Sequence, residues 1–153
     1  MILRGRVDPR PARATWRCAP ASGRRALPLP ESDPPMQYML ILHESEQAFA
    51  DRNGTPRTPE YWAGWMAYTE AMQQAGVLRS GNPLQPPSTS TTLTLRDGQR
   101  HVQDGPWIHS KEGLGGYYVI EVDDLDAALE WAARCPCATD GAVEVRPVLQ
   151  RSM

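Results

Sequence analysis

Cysteine is scarce: Cys18, Cys135 and Cys137 are the three in 153 residues. That excludes a disulfide framework as the organising principle and points to a reducing compartment, the cytoplasm. Cys135-Pro136-Cys137 is a close pair, but a metal site needs three or four ligands. No second cysteine pair and no histidine pair stands at finger-like spacing. No metal and no cofactor is expected. Long apolar runs are missing too. None approaches the roughly 20 residues that span a bilayer, so no membrane partner is expected, and no continuous apolar stretch near the start reads as a secretory signal. Positive charge is not in excess: 16 basic residues face 18 acidic ones, a net charge of -2, which argues against a nucleic-acid binder. A Gly-rich phosphate loop and a nucleophile elbow are both absent, which excludes kinases and hydrolases of those kinds.

What is present is an ordinary globular composition, 41% apolar and 22% charged, at the length of one domain with a tail. The charge is unevenly spread. Residues 1–35 hold seven of the basic residues, seven of the 15 prolines and only three acids. The segment is therefore about +4 and the remainder about -6. Its prolines would break the amphipathic helix of a transit peptide. It buries too little apolar surface to offset its ordering entropy. It reads as a disordered extension, or as an over-long start with Met36 the true first residue; the domain is 36–150.

From Met36 the elements follow in order. Met36 to His43 is a short apolar stretch and a buried strand, with His43 at its end. Glu44 to Arg57 is a polar loop with at most a helical turn around Gln47 to Ala50. Thr58-Pro59-Glu60 starts a helix, with Thr58 as cap, that runs to about Ala75 and stops at Gly76. Trp62, Trp65, Met66, Thr69, Met72 and Ala75 are its expected buried stripe, flanked by Tyr61 and Tyr68. Val77 to Arg79 is extended, and Gly81 to Pro87 is a turn-rich connection. Ser88 to Arg96 and Gln99 to Gln103 form a hairpin about Asp97-Gly98. Tyr117 to Val122 is a strand. Asp123 is the expected cap of a helix carrying Leu125, Ala128, Leu129 and Ala132, which Pro136 ends. Ala142 to Leu149 is a last strand, and Pro147 points to a sheet edge or a bend there. The sum is an α+β sandwich of ferredoxin-like type, an antiparallel sheet with two helices on one face. The open face calls for water or a second copy, so a homodimer is expected.

The densest cluster of turn formers and ionisable groups is Asp104-Gly105-Pro106-Trp107, followed by Ile108-His109-Ser110-Lys111-Glu112 and the step Gly115-Gly116. Asp104 has two readings: structural, an Asx-type acceptor that holds the turn, or functional, a general base or a group that orients a histidine. Gly105 supplies permissive φ and Pro106 fixed φ. Trp107 is a candidate filler of a dimer seam. His43 and His109 are the candidate proton shuttles, whereas His101 sits mid-strand. Lys111 and Glu112 cover the loop or pair across a dimer. Arg146 is expected to bridge to Glu144 or Glu121.

The chain from Met36 to Val148 resembles the YCII-related proteins of the DGPF type. The residues that carry this are Tyr38-Met39-Leu40-Ile41, Ala75-Gly76-Val77-Leu78, Leu84-Gln85-Pro86-Pro87, Asp104-Gly105-Pro106-Trp107 and Ser110-Lys111-Glu112 with Gly115-Gly116. Glu130-Trp131-Ala132, Arg134-Cys135-Pro136 and Val143 to Val148 continue the match. The resemblance implies a dimeric α/β barrel of ferredoxin-like subunits with a cleft near the central motif. It also implies a link to alternative sigma factors in some relatives and a His–Asp pair acting on ring compounds in others. The chain departs from the family pattern at Trp107, usually Phe, at Ile108-His109, usually Ala-Glu, and at Gln103, usually Thr. Two functions stay open: a dimer that binds a small molecule or a regulatory partner, and a cofactorless lyase or isomerase using His43 or His109 with Asp104 on a cyclic or phenolic substrate.

Overall fold

The computed structural model describes residues 34–150. The reading of residues 1–35 as an extension falls, but for its last two residues, outside the described residues, as does Cys18. The elements are β1 (Met36–Glu44), α1 (Glu46–Asp51), α2 (Thr58–Gln74), β2 (Leu78–Pro83), β3 (Thr91–Arg96), β4 (Gln99–Asp104), β5 (Gly113–Val122), α3 (Leu125–Ala133) and β6 (Ala142–Pro147).

Four strands form one sheet in the order β2-β5-β1-β6, with every neighbouring pair antiparallel. Two strand–helix–strand crossovers, one carrying α2 and one α3, interleave to give that order. This is the expected ferredoxin-like α+β arrangement. β3 and β4 form a separate two-stranded hairpin. Asp97 and Gly98 take φ of 50° and 75° at its tip, the left-handed pair that a tight hairpin turn needs.

β1 sets the two faces of the sheet. Tyr38, Leu40, Leu42 and Glu44 are buried, and Gln37, Met39, Ile41 and His43 between them are half-exposed. The buried set meets Ile120 and Val122 of β5, Trp65, Tyr68 and Met72 of α2, and Ala128 and Ala132 of α3. Leu40, Met72 and Ile120 are fully buried, each contributing about 1.5–3 kcal/mol. The Tyr68 hydroxyl donates to the Trp131 carbonyl at 2.8 Å and ties α2 to α3. Burial raises the Tyr68 hydroxyl above its ordinary pKa.

Local details differ from the sequence expectation. Glu46–Asp51 is a true helix, because the Ser45 side chain accepts from Ala48 N–H at 3.1 Å and caps it. Arg57, not Thr58, is the cap residue of α2. Asp124, not Asp123, caps α3, accepting from Ala127 N–H at 2.8 Å. Gly81 to Pro83 belongs to β2, which lies at a sheet edge where proline is tolerated. β5 begins at Gly113, so Gly115 and Gly116 lie inside a strand rather than before it. The buried stripe of α2 keeps Trp65 and Met72, as expected, and adds the flanking Tyr68, whereas Trp62 and Met66 are exposed. β6 is the opposite edge strand and holds Pro147, as expected.

Candidate functional site

His43 is the last residue but one of β1 and lies on the open face of the sheet. A cavity of about 750 Å³ lies against it, walled by Leu84, Pro86, Trp107, His109 and Glu144 among others. The strand alternation that buries Leu42 and Glu44 turns His43 outward. Glu144 reaches the same place because β6 pairs with β1 in the register Ile41↔Glu144 and His43↔Ala142. His43 Nε2 stands 3.8 Å from Glu144 Oε2 and is 31% exposed. Glu144 is also paired with Arg146, one of the two bridges expected from sequence.

Of the sequence candidates, His43, Pro106, Trp107 and His109 share this cavity. Asp104 is not among its walls. It ends β4 opposite Thr91, exposed. The turn after it is held by the backbone and a hydroxyl. Gly105 N–H donates to the Ser90 carbonyl at 2.7 Å, and Thr92 Oγ1 donates to the Gly105 carbonyl at 2.8 Å. Gly105 has φ of 97°, the left-handed region that favours glycine. The turn thus presents Pro106 and a Trp107 that is 60% exposed. Lys111 faces a different hollow, with Ser45, Glu46, Glu112 and Asp140.

Gly115 belongs to the other face of the sheet. The β1–β5 register slips between Leu42 and His43, leaving Gly115 as the extra residue of a bulge. A Cβ there would lie 2.3 Å from Glu44 Oε1 and 2.8 Å from Arg52 Nη2, so the missing side chain makes room for both. Gly116 gives the same room to β2, since its Cβ would lie 2.8 Å from the Asn82 carbonyl.

The group that occupies this space was not anticipated. Glu44 is 1% exposed, and its Oε1 lies 2.5 Å from Arg52 Nη2. Tyr61 donates to Glu44 Oε2 at 2.8 Å and accepts from Arg52 Nε at 2.8 Å. Arg52 also donates to the carbonyls of Gly115, at 2.8 Å, and Leu84. One guanidinium thus joins β1, β5, α2 and the end of β2, with its plane over the Phe49 ring at 4.6 Å. Burial and the Glu44 carboxylate push the Tyr61 hydroxyl well above the ordinary tyrosine range. Among the described residues no buried side-chain nitrogen or oxygen lacks a partner. The signal in the sequence was the phase of β1: Glu44 falls on the alternation that buries Leu40 and Leu42.

Cys135 and Cys137 are buried free thiols with their sulfurs 3.6 Å apart. The hydrogen bond from Cys137 holds Cys135 below the ordinary thiol value, and the same bond with burial drives Cys137 far above it. No group of three or more metal-ligating side chains is gathered among the described residues. No helix there is long and apolar enough to cross a membrane.

Residues 36–152 match the profile of the YCII-related domain. Over 77 residues the chain is 38% identical to an uncharacterised protein of Rhizobium meliloti (strain 1021). That match covers 49% of this chain and 62% of the length of that relative.

Proposed function

This chain belongs to the YCII-related family, and from that premise we propose that it is a cytoplasmic homodimer that binds a small molecule in the open-face cavity. The observation that supports this reading is the convergence of three distant segments, at His43, Trp107–His109 and Glu144, on one concave space of about 750 Å³. Small-molecule sites are of this size and have apolar walls with a few polar groups. Leu84, Pro86 and Trp107 supply the apolar wall; His43, His109 and Glu144 supply the polar groups. The dimer follows from the same face. Met39, Ile41, Tyr117 and Val119 are half-buried in the single chain, and a second copy laid over them would cover them.

A second reading rests on the His43–Glu144 approach of 3.8 Å. An imidazole beside a carboxylate is an acid–base pair, and a bound ring compound with an acidic C–H or O–H would lose its proton to His43. Glu144 then takes the part that the sequence assigned to Asp104. One screen separates the readings. Small cyclic and phenolic compounds are tested by thermal shift on the wild type and on His43→Ala, and every hit is followed for turnover by NMR. Stabilisation without turnover, reduced in His43→Ala, supports the binding protein. Turnover abolished by both His43→Ala and Glu144→Gln supports the enzyme. Hits unaffected by His43→Ala would remove the open-face cavity from both. Sedimentation at micromolar concentration checks the dimer, and a monomer there would assign the open face to a different protein partner.

A further inference from the structure

We propose a second binding site, on the helical face of the sheet, for a flat aromatic cation such as an arylalkylamine. Beside the buried stripe of α2 runs a second stripe, Trp62, Met66, Thr69 and Gln73. It walls a cavity of about 500 Å³ against Asn82 and Pro83 of β2 and Tyr118 of β5. This space shares no lining residue with the open-face cavity. Helical periodicity predicts Trp62 and Met66 to be buried; instead Met66 is 69% exposed, and both stand on the cavity wall.

The aromatic walls are fixed in place. The Trp62 N–H donates to the Arg52 carbonyl at 2.9 Å, which sets its ring edge-on to Tyr61, with centroids 5.0 Å apart. Trp65 and Tyr118 lie within 29° of parallel. Thr69 Oγ1 donates to the Trp65 carbonyl at 2.8 Å, so the Tyr118 hydroxyl donates to Thr69 at 2.7 Å. Rings whose polar edges are already bonded offer a guest their faces, and the faces carry the negative end of the quadrupole.

The charges point the same way. The charged groups on the wall are Glu44, Glu70 and Arg52. Arg52 has little left for an anion, because Glu44, Tyr61, Gly115 and Leu84 take four of its five N–H donors and Glu44 offsets its charge. Glu44 is neutralised by that contact. Glu70 is exposed and receives only the Gln74 amide, at 3.0 Å, so its charge stays open toward the cavity. Aromatic faces and a free carboxylate favour an ammonium on a planar ring and repel a carboxylate.

Three compounds that share one indole ring and differ in side-chain charge test this by calorimetric titration at low salt: tryptamine, indole and indole-3-propionate. The expected order is tryptamine tightest and indole-3-propionate weakest, the two differing by about tenfold or more. Glu70→Gln is expected to remove most of that difference, and Trp62→Ala to remove binding with the circular dichroism spectrum unchanged. If Trp62→Ala does not fold, Met66→Lys at the rim stands in, and it should weaken tryptamine and not indole-3-propionate. Equal or reversed affinities, no tryptamine binding at millimolar concentration, or loss of that binding in His43→Ala would each overturn the proposal. The last outcome would assign the amine to the open-face cavity.

Discussion

Two of the glutamate–arginine pairs on the sheet, one from each face, teach opposite lessons. Glu44–Arg52 on the helical face is closed at 2.5 Å, with side-chain exposures of 1% and 11%. Glu121–Arg79 on the open face is closed at 2.8 Å, but both partners reach solvent. The bond lengths are similar and the residue types are the same. What differs is how much water each charge gives up and how many other groups complete its shell. The helical-face pair is tied into four elements, whereas the open-face pair gains the Gln37 amide, at 3.1 Å, and two carbonyls close to Arg79 in sequence, Gly76 at 2.9 Å and Leu78 at 3.4 Å. The same division separates the two cavities: the helical-face one has a rigid, bonded rim, and the open-face one is built on the exposed side chains of a turn.

The largest expected effect breaks the buried pair. Glu44→Ala leaves the Arg52 guanidinium without its carboxylate in a water-poor space. Removing one partner of a buried pair costs about 3–5 kcal/mol. Urea unfolding of Glu44→Ala beside His43→Ala makes the comparison direct, since the two residues are neighbours in sequence on opposite faces of β1. His43 is partly exposed, and its loss should cost far less. Equal losses would mean that the clasp does not support the fold.

The frame of the fold was legible in the sequence, and the clasp was not. Asp97-Gly98 announces its hairpin because a two-residue turn needs positive φ at both positions. Pro147 announces an edge because it lacks the donor that a central strand requires. The α2 stripe was right at Trp65 and Met72 but drawn too wide, because Trp62 and Met66 are as apolar as the residues beside them. Only the packed sheet selects Trp65 and Tyr68. His43, Trp107 and His109 were named as candidates from their local context. Their meeting with Glu144 depends on the β1–β6 register, which no local signal carries. Glu44, Arg52 and Tyr61 read singly as loop charges and a flanking aromatic. Their union depends on the bulge at Gly115, a long-range feature.

The next effect is smaller and depends on pH. Tyr61→Phe deletes a hydroxyl that serves both partners of the clasp, at an expected cost of about 1–3 kcal/mol near neutrality. Burial and Glu44 hold the Tyr61 proton in the folded state. The unfolded tyrosine releases its own near pH 10. Stability from this source is therefore complete below about pH 10 and declines as pH rises beyond it. Tyr68 and Tyr118 are shifted the same way by burial and add to the decline. Melting curves from pH 7 to 11 should fall for the wild type and fall less steeply for Tyr61→Phe. Parallel curves would mean that the hydroxyl titrates as it does in the unfolded chain.

The smallest effect belongs to the open face, at the acid end of the scale. Arg79, with help from Gln37, holds the Glu121 carboxyl below its ordinary value. A carboxylate shifted down stabilises the fold above its unfolded pKa, and that contribution is lost as pH falls through the folded value. Arg79→Ala should therefore leave the melting temperature near pH 7 almost unchanged, because an exposed pair is screened by water and salt. As pH falls through the lowered folded value of Glu121, until the carboxyl is protonated in both variants, the two melting curves should merge. A small gap between them at intermediate pH should shrink further in high salt. The Glu44→Ala loss should persist in the same salt, because the carboxylate and guanidinium it separates are shielded from ions by the bonded elements around them. A salt-insensitive Arg79→Ala effect of comparable size would erase the distinction between the faces and make burial irrelevant to both pairs.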